Sequence, residues 1–438
     1  MSSRTRVHVA SGSGPLRRTR GDLIATTVIA GVSLVAVGVV WANSESGAAH
    51  LTTAPESFVS TTTDASIPFD LHEAWRAADA AVPAQARPVT AAGLVLTAVD
   101  GVLTARDPNS GDAVWSYRRD NHPICSLGAA FDRVYATYLT QAGCGDVIGF
   151  EASTGEYRAA RSSPAPDETV PIRSNDAVGT VSAERVELWR NDLVRTVEYG
   201  EVEAKQEPAL QPNEDCVIDS ALTRTGNLAV VEHCPASDEH GAGYWLRLQK
   251  RDPEDSRKPE IIAEAFLGTE KAEIVVIGQN GAGVYLAGSE TQPPRIEVYD
   301  LEGVQTSVTE LPASPLVASV RGVFAPATAD LPHHMSWFDG ERLYLFHPST
   351  LELKQTFTDA LGTGIAVEGR LLYPTADGIA VADWDTGVVE RTIPVDRGAY
   401  TGPVALAYVG GAGVVLEKRA TNGGTLVALV SQTLPPPS

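Results

Sequence analysis

A short turn that recurs with decreasing fidelity limits what this chain can fold into. Its clearest copy is DPNSGDAVW, residues 107–115. In that stretch Asp107 can accept backbone N–H groups at the start of the bend, Pro and Ser fill it, and Gly111 supplies the positive φ that the turn demands. Trp115 then opens the next strand. Weaker copies follow: EASTGEY at residues 151–157 with Gly155, DLEGVQ at 300–305, HPSTLELK at 347–354 with Leu351 in the glycine position, and DWDTGVVE at 383–390 with Asp383 and Gly387. A turn repeated at such intervals marks one supersecondary unit used many times, each burying its apolar face against the next.

From Thr90 onward the chain consists of short apolar runs rich in Val, Leu, Ile and Tyr, separated by Gly, Asp, Asn and Pro. This pattern predicts many β-strands, with no amphipathic helix of ten or more residues between them. The first unit reads GLVLTAVDGVLTARDPNSGDAVWSYRR: a strand, a hairpin at Asp100-Gly101, a second strand, the acidic turn and a third strand. Aligned on their turns, complete units fall near 89–120, 124–163, 170–208, 216–266, 272–313, 317–357 and 362–397. Residues 402–431 add further strands without an outer one, and residues 69–76 (FDLHEAWR) form an isolated strand before the first unit. The two fragments complete an eighth unit in which Trp75 takes the place of Trp115. Such closure by the opposite end of the chain removes the exposed edges of an open array. The expected fold class is therefore all-β, a propeller of about eight blades over residues 69–431, or seven if the fragments stay apart.

The D-x-x-[ST]-G-x-x-x-W element, clear at Asp107 and partial at Glu151 and Asp383, resembles the repeat of PQQ-like, or quinoprotein-type, β-propellers. That resemblance covers roughly residues 70–431. It implies either a quinone-dependent dehydrogenase or a non-enzymatic scaffold, such as the lipoprotein propeller that assists outer-membrane barrel assembly. The whole layout looks like single-pass envelope proteins of actinobacterial type without known enzymatic activity. The dehydrogenases of the family use a disulfide between adjacent cysteines and a calcium ion held by carboxylate and amide side chains. This chain has no Cys-Cys dipeptide, and no calcium ligand set maps onto it. No cofactor is expected, and fold alone does not settle function.

Residues 23–41 (LIATTVIAGVSLVAVGVVW) carry no charge, and a helix of that length spans about 28 Å, close to the bilayer hydrocarbon thickness. Arg4, Arg6, Arg17, Arg18 and Arg20 precede it with a single acid, Asp22. The charge is thus about +4 before the span and about −25 after it, which places residues 1–22 in the cytoplasm as a basic tail and the rest outside. A cleavable signal peptide is the competing reading, although the apolar run exceeds the usual length. Gly31 and Gly38 share a helix face and could support pairing. Residues 42–68 are rich in Ser, Thr and Ala and read as a flexible linker, open to O-linked sugars; residues 432–438 read as a Pro-rich tail.

Cysteines occur at 125, 144, 216 and 234, with no C-x-x-C spacing of the metal or redox kind. In an oxidising compartment the expected bonds are Cys125–Cys144 and Cys216–Cys234, because each pair brackets a hairpin. For the second pair the midpoint, residue 225, falls on the turn TRTGN at 223–227. For the first, some residues of 139–143 must loop out.

Candidates for chemistry are few. A net charge of −21 argues against nucleic acid as a partner. His333-His334, near Asp330 and Asp339, would ligate a metal only from a loop, since neighbours on a strand face opposite ways. Residues 250–260 mix charge signs and read as a solvated loop. Residues 188–200 (LWRNDLVRTVEYG) depart most from the repeat. There Trp189, Arg190, Asp192, Arg195 and Tyr199 have interface-like composition, against the alternative of an Arg-Asp pair bracing a turn. The expected function is a membrane-anchored extracytoplasmic propeller that binds another envelope protein and performs no catalysis. The rival is a ligand- or glycan-binding or catalytic propeller working through its central channel.

Overall fold

The computed structural model describes residues 19–42, 47–59, 66–82, 84–202, 207–208, 210–237 and 241–431. The tail arginines Arg4, Arg6, Arg17 and Arg18, parts of the linker and the tail 432–438 lie outside the described residues. The chain divides into two units, Met1–Ala49 and His50–Ser438. In the first, residues Arg20–Ala42 form a helix, α1. Residues 20–41 of it are long and apolar enough to cross a membrane.

The second unit is all-β: eight antiparallel sheets in succession, each with four strands except the first, which has five. Blade 1 contains Val89–Ala91, Leu94–Val99, Val102–Arg106 and Ala113–Arg119. The next blades span residues 124–162, 170–200, 217–268, 272–310, 327–357 and 365–394. Blade 8 takes three strands from residues 404–430 and its outer strand, His72–Ala78, from near the opposite end of the second unit. In that closure Trp75 pairs with Ala428 and Arg76 with Val427. Inner strands of successive blades abut around the central axis.

Packing follows from strand composition. Val, Ile and Leu alternate across two-sided sheets and meet the facing sheet, so the core is a ring of inter-blade clusters. Between blades 8 and 1, Val95 meets Val409, Val414, Leu416, Leu426 and Ala428, all buried. A full burial of one such side chain stabilises by roughly 1.5–3 kcal/mol. Polar ties supplement the ring. Glu417, fully buried in blade 8, receives Arg397 at 2.7 Å and Arg419 at 2.6 Å, while Arg397 also donates to the Gly378 carbonyl of blade 7 at 2.9 Å. Lys418 reaches Asp79 at 2.8 Å, and Asp79 accepts the Ala98 N–H at 2.9 Å, which pins the closing segment to blade 1.

Three expectations are corrected. Part of the linker is bound to the propeller: Ala49–Thr52 forms a strand on the outer edge of blade 1, and the N–H groups of Ala54 and Phe58 donate to Thr154 and Ser153 of the blade 2 turn. An outer strand has unpaired backbone groups, and this segment satisfies them. Blade 6 starts later than residue 317, because Ser314 accepts the Val317 N–H at 3.1 Å and Pro315 begins a short helix, Pro315–Ser319. Its inner strand is Ala327–Asp330. Finally, residues 139–143 do not loop out; they end one strand, Arg133–Thr140, and begin the next, Gly143–Glu151.

Candidate functional site: the central channel

The recurring turn joins the third strand of a blade to its outer strand. Asp107 Oδ1 accepts the N–H groups of Asn109 at 2.7 Å and Ser110 at 3.3 Å, and Gly111, at φ 76°, donates its N–H to the Asp107 carbonyl. Asp383 repeats this with Asp385 and Thr386, and Gly387 has φ 72°. Glu151 is one carbon too long and turns instead to Arg158 at 3.1 Å, leaving Gly155 at φ 74° to shape the bend. His347 substitutes a ring nitrogen for the carboxylate, and Leu351 holds the left-handed position at φ 57°.

Each good turn receives a side chain from the preceding blade. Trp115 Nε1 donates to the Ala152 carbonyl of blade 2 at 2.8 Å, and its ring lies where a Cβ on Gly155 would sit, 2.6 Å away. Trp75 does the same from blade 8, donating to Pro108 at 2.8 Å and covering Gly111. In blade 6 Gln355 replaces the ring and donates to Asp385 at 2.8 Å, beside Gly387. The turn glycines and tryptophans are thus inter-blade joints.

Residues 188–200 contain the same turn in disguise. Leu193, at φ 63°, stands in the glycine position and Arg190 opens the bend. Trp189 is 3% exposed and Tyr199 fully buried, so these two side chains are core groups and not part of an interface, while Arg190 and Asp192 are exposed. Arg190 and Asp192 form an exposed bidentate pair at 2.8 and 2.9 Å that braces the turn. Arg195 is drawn into a half-buried group with Glu187 and Glu198. No pattern of glycine or acid marked this turn; only backbone strain at a leucine reveals it.

Both disulfides pair as Cys125–Cys144 and Cys216–Cys234. The second closes the hairpin Val217–Arg224 and Asn227–Cys234. The first links the inner strand of blade 2, at an irregularity in its pairing between Ile124 and Ser126, to the third strand, where Cys144 pairs with Leu139 of the strand between them. His333 and His334 rest against Trp384, with ring centroids 5.0 and 6.0 Å away. Asp330 is held by Arg224 and Asp339 by Arg342, so these four groups do not converge on a metal. Residues 251–260 form the loop between the last two strands of blade 4, and Ser256 accepts the Glu198 N–H of blade 3 at 2.8 Å.

Where inner strands turn back, the channel widens into a cavity of about 750 Å³. Its wall combines apolar groups such as Val276, Phe324 and Met335 with the guanidinium groups of Arg87 and Arg173. Arg87 precedes the inner strand of blade 1 and Arg173 lies on that of blade 3, Val170–Ser174. Arg87 donates only a long bond, 3.5 Å, to the Leu406 carbonyl, and its Nε has no acceptor. Burial, then the nearby charge of Arg173, pull its pKa down to about 10. Burial also lowers that of Arg173. Arg224, on the same wall, is neutralised by Asp330 at 3.0 Å.

A second cluster sits between blades 4 and 5. Glu273 is fully buried, 3.6 Å from Lys271, and both its carboxylate oxygens lack hydrogen-bond partners. Burial above all, with the charge of Asp219, pushes it up to about 8. Asp219 is itself raised by burial and bonds His233 at 2.6 Å.

The family profile described as "Outer membrane protein assembly factor BamB" matches residues 21–208. The protein is a PQQ-like β-propeller in its fold. Among solved structures, the crystal structure of BamB from Moraxella catarrhalis aligns at 14% identity and a TM-score of 0.46, covering 82% of this chain and 99% of that one. Comparison with curated proteins gives no match.

Proposed function

We propose that this chain is a membrane-anchored propeller that holds another envelope protein, a scaffold without chemistry of its own. The observation that carries this is a joint one: a helix long and apolar enough to cross a bilayer accompanies a closed propeller similar to an assembly-factor profile. Two disulfides favour an oxidising compartment for the propeller, and the arginines before the helix favour a cytoplasmic amino terminus. Eight blades offer broad faces of backbone turns on which a partner can rest without any catalytic group.

Crosslinking in intact cells, followed by identification of captured proteins, tests the reading. One or a few envelope proteins should recur across replicates. Reproducible capture of none would sink the scaffold role. A second reading, ligand binding in the channel, is favoured by the unneutralised guanidinium groups in its wall.

A further inference from the structure

We propose that the channel cavity is a binding site for a small anion bearing a carboxylate or phosphate group, seated between Arg87 and Arg173. This inference rests on the geometry of the channel alone and stands or falls separately from the scaffold role.

Acids outnumber bases, 55 to 34, in this chain. Cations on such a molecule ordinarily find carboxylates, and most arginines here do: Arg119, Arg247, Arg295, Arg342, Arg397 and Arg419 all have acidic partners. Arg87 and Arg173 depart from that pattern. Among the described residues no ion pair is formed by either, and each feels burial rather than an opposite charge. They come from blades 1 and 3, with a whole blade between them, yet meet across one cavity near enough to repel. Two like charges held together in a sheltered space are unfavourable unless something neutralises them.

The nearby acids do not fill that role. Asp330 is engaged by both Nε and Nη2 of Arg224, at 3.1 and 3.0 Å. Asp132, at the blade 2 turn, lines the cavity but makes no ion pair with either arginine. The guanidinium groups therefore present a fork whose planar donors match carboxylate or phosphate oxygens. A volume of about 750 Å³ suits a small molecule, and Phe324, Met335 and Val276 offer an apolar wall to its body.

The test uses the full-length chain in detergent, titrated calorimetrically with inorganic phosphate and, separately, with malonate. Saturable binding of at least one is expected, and the stronger arm identifies the head group. Arg173→Gln should weaken it about tenfold or more, as loss of a bidentate charged partner does. Arg173→Lys should retain part of it, and the paired variant Arg224→Gln with Asp330→Asn, which removes a neutral ion pair from the same wall, should change it less than about threefold. Arg173 forms no ion pair among the described residues, so Arg173→Gln should melt like the parent; if it does not, the comparison passes to Arg87→Lys, expected to weaken binding. No saturable binding of either anion up to about 10 mM, a level below even weak specific recognition, would overturn the proposal. So would equal affinity in the parent and Arg173→Gln, or a loss in the paired Arg224→Gln and Asp330→Asn variant as large as in Arg173→Gln.

Discussion

Glu273 shows how far a single side chain can be moved from its ordinary chemistry. Its carboxyl is raised from 4.5 to about 8 chiefly by burial. Between these values the folded protein holds a proton that the unfolded chain has released, so unfolding gains stability relative to folding as pH rises. Stability from this group is present below about pH 4.5 and is lost as pH climbs through about 8. Glu273→Gln keeps the shape without the charge. It should narrow the difference in unfolding free energy between pH 5.5 and pH 8 by roughly 1–3 kcal/mol, measured by denaturant titration. An unchanged pH dependence would show that Lys271 already neutralises the group. None of this could be read from the sequence, where Glu273 is one acid among many; its fate depends on which strand faces it.

The turn and the ring that covers it form the next scale. Gly155 and Gly369 have nearly the same φ, 74° and 72°, but a Cβ on Gly155 would collide with Trp115 whereas one on Gly369 meets nothing within 4 Å. Both alanine variants pay about 1 kcal/mol of left-handed strain. Gly155→Ala should cost a further 1–3 kcal/mol or so, because the ring must move. Equal destabilisation of the two, measured by thermal or denaturant unfolding, would mean that the joint contributes nothing. Trp115→Ala should cost about 3–5 kcal/mol by the same measurement. This element was legible at Asp107, Gly111 and Trp115 because acid, glycine and ring are all present there. It was illegible at Arg190-Leu193 and at Gln355, where leucine accepts a strained backbone and glutamine substitutes a hydrogen bond for a ring. Surrounding packing can enforce a conformation that the local residues do not prefer, and no sequence pattern records that.

At the scale of the molecule, stability depends on closure. His72–Ala78 covers the edge of Thr425–Val430 and delivers Trp75 to blade 1. Replacing Trp75 and Arg76 together by Pro should unpair that edge, so limited proteolysis should open the chain between blades 8 and 1, with a lower melting temperature and more aggregation. Parent-like resistance would show that the ring holds without its last strand. The sequence by itself determined the repeating unit, the strand that would complete an eighth blade, the pairing of the cysteines and the apolar helix, because each is written in local composition, spacing or charge; the closed count of eight came with the structure. Only the tertiary structure decided where the linker binds, that Trp189 and Tyr199 are buried, and that Arg87 and Arg173 share a cavity while Arg224 beside them is neutralised. Those outcomes depend on contacts between residues far apart in the chain, and their energies are settled by burial and charge after the ring has closed.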